Sequence, residues 1–202
     1  MYYQRDFRLL TYGPQMNNIL ARPVEEKEWP DIPGLFKYMR DVMRKADGFG
    51  LAAPQIGCFR RFILIEMPKG SVLGLLNPEI TRLYGREING LEWCSNVPPP
   101  GNESMIPRMG MVDIEASLAT APDYRRKFTF HGRMARIVQH EIDHLDGISF
   151  VDRIPSEGRK KSILRMFHNW KSMRLAQIRR IEENHHVDAG IIAASRGQSR
   201  LS

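Results

Sequence analysis

The pentapeptide His140-Glu141-Ile142-Asp143-His144 constrains this chain more than any other stretch. Imidazoles four residues apart reach one ion only if the backbone between them is helical, because positions i and i+4 then share a face. The pattern around them predicts a helix from about Arg133 to Leu145, stopped by Gly147. Glu141 is then one residue on from the first imidazole and can address water at a metal, whose proton a carboxylate can take. A helix whose histidines pair with surface carboxylates would carry the same five residues, so a metal site needs a third donor.

Three sources of that donor are open. A metzincin continues with a glycine and a histidine, but Phe150 stands where that histidine would fall. A thermolysin-like peptidase takes a downstream glutamate, here Glu157, Glu182 or Glu183. Cys94 offers a thiolate, and a Cys-His-His set leaves the fourth tetrahedral position open for water; the competing reading of Cys94 is a buried, inert thiol. Among the enzyme readings, the peptidase alternative predicts that Cys94→Ala leaves metal binding intact.

The rest of the chain reads as α+β: short antiparallel sheets around the central helix that carries the two histidines, followed by a long C-terminal helix. Apolar residues at 35, 38, 39, 42, 43 and 46 predict an earlier helix, starting at Asp31 to Pro33 and stopped by Gly48. Strands are predicted over Arg61–Met67, Val72–Leu76, Glu79–Ile88, Met111–Ala116 and Lys127–Phe130. The run Val97-Pro98-Pro99-Pro100-Gly101-Asn102 excludes regular structure, since proline removes donors. Gly48-x-Gly50-x-x-Ala53 superficially fits a dinucleotide fingerprint, but a helix precedes it and Pro54 opposes a helix after it, so no dinucleotide is expected.

Length and charge set the domain plan. The 202 residues suit one compact domain, taken as residues 1–155, with a basic helix over 156–185 and a disordered end over 186–202. Of the net charge of +7, +6 falls after residue 155, where ten Lys and Arg face four Asp and Glu. No apolar run approaches the ~20 residues that cross a bilayer, so no membrane partner is expected. Two cysteines and no secretory leader point to the cytoplasm, with an organelle matrix also compatible.

Three segments together resemble the peptide deformylase family. Gly48-Phe49-Gly50-Leu51-Ala52-Ala53-Pro54-Gln55 matches its first motif, and Gln139-His140-Glu141-Ile142-Asp143-His144 its third. Glu92-Trp93-Cys94-Ser95-Asn96 matches the second in part. The resemblance spans about residues 7–155 and implies removal of the formyl group from the initiator methionine of new polypeptides. It implies that Cys94, His140 and His144 bind one divalent metal, Fe²⁺ as the expected native ion, with Zn²⁺, Ni²⁺ or Co²⁺ accommodated by other members. Metal-bound hydroxide would attack the formyl carbon, with Glu141 as general base and then acid. Gln55 and the Ser95 N–H would donate to the oxyanion, Gly50 would meet the peptide backbone, and Ile137 would wall the methionine pocket.

Two departures bear on substrate preference. Trp93 stands at the family's glycine beside the cysteine, where it would be strained if the backbone had positive φ and where it can reshape the substrate pocket. Asn96 stands at the family's serine. A catalytically impaired, deformylase-like binding protein is the alternative these changes support. The cationic residues Arg159, Lys160, Lys161, Arg165, Lys171, Arg174, Arg179 and Arg180 suggest contact with ribosomal RNA, which salt should weaken steeply.

Overall fold

The computed structural model describes residues 9–10, 19–97 and 103–165. Residues Met1–Lys160 form one compact unit and Lys161–Ser202 a second. Within the first, helix α1 (Ile32–Lys45) precedes strands β1 (Gly50–Ala52), β2 (Phe62–Glu66), β3 (Val72–Trp93), β4 (Glu103–Leu118) and β5 (Ala121–His131), and helix α2 (Gly132–Leu145) follows. The proline run at 98–100 and the residues beyond 165 lie outside the described residues, as do most of the predicted basic helix and all of the predicted disordered end. The backbone is helical over 157–165.

The strands make one five-stranded sheet in the order β1-β2-β3-β4-β5, every neighbouring pair antiparallel. This differs from the several short sheets expected. The two strands predicted over Val72–Leu76 and Glu79–Ile88 are one 22-residue strand, because bulges between Leu76 and Glu79, Ile80 and Arg82, and Tyr84 and Glu87 let β4 stay paired across the breaks. Pro78 falls in the first bulge, where its missing N–H costs the ladder nothing. Asn77, at φ 49°, turns its side chain to Val24, accepting from its N–H at 2.7 Å and donating to its C=O at 3.0 Å.

The Phe62-Ile63-Leu64-Ile65 run is apolar on every residue because β2 is covered on both faces. Ile63 and Ile65 pack with Leu75, Val112, Ile114 and, from α2, Ala135, Val138, Ile142 and Leu145. Phe62 and Leu64 pack with Leu76 and, from α1, Leu35, Met39, Val42 and Met43. Each fully buried Leu or Ile contributes about 1.5–3 kcal/mol relative to exposure. The sheet thus becomes a rigid floor that fixes α2 by its apolar stripe, and the opposite stripe of α2 is left to build a site.

Candidate metal centre

Helix α2 places His140 and His144 one turn apart, their rings edge to face with centroids 4.9 Å apart. Cys94 follows directly on the end of β3 and is 2% exposed. Its Sγ lies 3.5 Å from His144 Nε2, and one donor atom from each of Cys94, His140 and His144 falls within 4.8 Å of the other two. Among the described residues no carboxylate completes this donor set. Thiolate plus two imidazoles, nearly dry, at separations a small contraction would make tetrahedral, fits a borderline-soft divalent cation such as Fe²⁺ or Zn²⁺.

Buried ion pairs orient these donors. His140 Nδ1 lies 2.9 Å from Glu92 Oε2, and since a carboxylate only accepts, the proton sits on Nδ1 and Nε2 is left for a cation. Arg108 grips Glu92 at both oxygens, Nε to Oε1 at 2.9 Å and Nη2 to Oε2 at 3.0 Å. Arg136 adds a third bond, Nη1 to Oε1 at 2.8 Å. The remaining arm of Arg108 reaches Asp143 at 2.5 Å, and Arg153 closes on the same carboxylate at 2.6 and 3.1 Å. Burial alone would lift the Glu92 carboxyl, but the hydrogen bonds from His140 and Arg108 hold it down at about 2. Burial likewise pulls against a charged His140, yet its bonds to Cys94 and Glu92 raise it well above the usual range. Burial and the nearby positive charge of His140 push His144 well below that range.

Glu141 is 4% exposed, and its Oε2 has no hydrogen-bond partner among the described residues. Burial raises its carboxyl to about 7. Gly50 of β1 lies so close that a Cβ there would stand 2.8 Å from Glu141 Cγ and Cδ, so only glycine lets the edge strand meet this carboxylate.

Gln55 is buried, with Oε1 accepting from the Ala52 N–H at 2.7 Å. Its Nε2 donates to Asn96 Oδ1 at 2.5 Å and stands 3.7 Å from Cys94 Sγ. Asn96 in turn donates to the carbonyls of Leu10 and Gln55, so its amide has one orientation. Ser95 finds no acceptor for its backbone N–H among the described residues and lines, with Gly50, Gln55, Trp93, Ile137 and Glu141, a cavity of about 540 Å³. Trp93 is extended at the end of β3, not at positive φ, and is 38% exposed at the cavity edge. Ile137 serves both readings, lining the cavity and packing against the core.

The motifs did not reveal Glu92, Asp143, Arg108, Arg136, Arg153 or Asn96 as parts of the site. Glu92 and Asp143 were visible inside the motifs as acids within two residues of Cys94 and His144. The arginines lie 10 to 44 residues from the acids they bind, with no local signature. Cys58, half-buried and raised to about 11 by burial, takes no part.

The sequence model of the family described as polypeptide deformylase matches residues 7–160. A curated relative, the peptide deformylase of Thermomicrobium roseum, is 42% identical over 144 residues, covering 67% of this chain and 77% of the relative. The crystal structure of peptide deformylase from Thermus thermophilus superposes with a TM-score of 0.69 at 35% identity, covering 78% of this chain and 90% of that one. The Met-Ala-Ser-bound class I type b peptide deformylase from Acinetobacter baumannii gives 0.65 at 30% identity, covering 73% and 97%. Among the described residues no helix is long and apolar enough to cross a membrane.

Proposed function

The chain belongs to the peptide deformylase family, and from that premise we propose that it releases formate from the N-formyl-methionine of new polypeptides, with Cys94, His140 and His144 holding one divalent metal and Glu141 carrying the proton. The observation that carries this reading is the donor set within 4.8 Å beside a buried carboxylate oxygen with no partner among the described residues. A cation held there would acidify a water and polarise the formyl oxygen. Fe²⁺ is the native ion we propose, and Zn²⁺, Ni²⁺ or Co²⁺ suit the same donors.

This chain's residues supply the rest. Glu141, poised at about 7, accepts the water proton as the formyl carbon is attacked and then delivers it to the departing amine nitrogen. The Gln55 Nε2–H on the Cys94 side and the Ser95 N–H donate to the developing oxyanion, and a single such donor is typically worth ~3–4 kcal/mol. Strand β1 is the sheet edge, so its outer backbone groups at Gly50 can pair with an extended peptide. The cavity then receives the methionine side chain against Ile137, with Trp93 at its rim bearing on the residues that follow. The Met-Ala-Ser ligand named for the Acinetobacter baumannii structure supports a peptide beginning with methionine. Reduced Cys94 suits a cytoplasmic setting, and the basic residues from Arg159 onward suit ribosomal RNA.

The test is formate release from formyl-Met-Ala-Ser by anaerobically purified protein, paired with metal analysis. One metal per chain with turnover, both lost in Cys94→Ala, is the expected result. Metal retained in Cys94→Ala would favour a zinc peptidase with another third ligand. A loaded protein that turns over no formyl-peptide would mark a binding protein.

A further inference from the structure

Arg136 shares the α2 stripe of His140 and His144, one turn before the first imidazole, and its guanidinium is spent on the β3–β4 hairpin. It donates to the carbonyls of Ile88 at 2.6 Å, Ile106 at 2.7 Å and Gly90 at 3.4 Å, and to Glu92 Oε1 at 2.8 Å. Gly90 and Ile106 face each other across the hairpin, so the guanidinium lies flat over one rung of the ladder. That seat exists only because residue 90 is glycine: a Cβ there would stand 2.8 Å from the guanidinium carbon and 2.9 Å from Nε. Pinned by four acceptors, the head has nowhere to retreat.

We propose that Arg136 is a positioning residue for the metal centre: seated on Gly90, it locks the hairpin to α2, fixes Glu92 against His140, and sets the approach of Cys94 two residues further on. Arg108 neutralises Glu92 from β4, within the hairpin itself, and reaches the helix only through Asp143, so it does not bond that carboxylate from α2. Arg136 is the cation on α2 that does. The inference rests on Cys94, His140 and His144 being metal ligands, and its test keeps the two apart.

Full-length protein is loaded with Zn²⁺ and its release to a chromogenic chelator is timed. Outer partners of metal ligands typically tune affinity ~10- to 100-fold, and Arg136 acts one bond further out, so Arg136→Met and Gly90→Ala should each speed release about tenfold, with Arg136→Lys between them and wild type. Gly90→Ala added to Arg136→Met should cost nothing more, since no guanidinium remains to clash. A merely structural Arg136 would lower the Tm of the metal-free protein and leave release unchanged; release within twofold of wild type in both single variants, or multiplying effects in the double, overturns the proposal. Should Arg136→Met not fold, Gly90→Ala decides by the same release measurement. If wild type holds no Zn²⁺, or Cys94→Ala holds it equally, the metal reading itself fails.

Discussion

Glu141 is costly to the fold, and the cost can be measured. In metal-free protein its carboxyl titrates at about 7 rather than 4.5, because burial disfavours the charged form. Between those two values the folded state holds a proton that the unfolded chain has released, so stability declines as pH rises from about 4.5 to 7 and levels off above. At ~1.4 kcal/mol per pH unit the total is ~3 kcal/mol. Glu141→Gln removes that dependence while keeping the shape. Its unpaired amide costs ~1 kcal/mol at every pH, so the variant should be slightly less stable than wild type near pH 5 and more stable by ~2 kcal/mol near pH 8. Urea unfolding of both proteins in EDTA and reductant across pH 5–8.5 gives the difference, in which groups titrating alike cancel. A gap between the two that stays constant from pH 5 to 8 would falsify the assignment of a desolvated carboxyl. Loss of formate release in the same variant would show stability traded for catalysis.

Three further outcomes follow from the contacts. Gly50→Ala should displace Glu141 or the strand edge and lower kcat/KM for formyl-Met-Ala-Ser by ~100-fold, the size of effect a misplacement of about 1 Å produces; near-normal turnover would show that the close approach is not needed. Asn96→Ala releases the Gln55 amide from its Oδ1 anchor and should lower kcat by ~10-fold or more with KM little changed, whereas a rise in KM alone would place Gln55 in substrate binding. Glu92→Gln strips two buried guanidiniums of their shared carboxylate and should destabilise the protein by ~3–5 kcal/mol at neutral pH. Because the folded Glu92 carboxyl lies at about 2, its contribution is complete above about pH 4.5 and drains away as pH falls through 2, so the penalty of the variant should shrink in acid.

Local pattern determined much of this molecule. The 3.6-residue spacing of apolar positions and the flanking Asp31, Gly48 and Gly147 defined α1 and α2 to within a residue or two. The i, i+4 histidines defined a shared face, and the three motifs named Cys94, Gln55 and Glu141 before any distance was known. These are properties of neighbours in the chain, where backbone geometry alone says which side chains meet.

Tertiary structure decided what depends on partners far apart in sequence. β3 runs unbroken past Pro78 because β4 supplies acceptors around each bulge, which no window of β3 discloses. The chain Arg136–Glu92–Arg108–Asp143–Arg153 joins β3, β4, α2 and the segment after it, and its members look like ordinary surface charges until the sheet and helix bury Glu92, Arg108 and Asp143 at its centre. Asn96, which by sequence is a departure from a motif, becomes the anchor of Gln55 once the loop after Cys94 folds over it. The charge state of Glu141 belongs here too, because desolvation is a property of everything packed around a group and of nothing in its own stretch of chain.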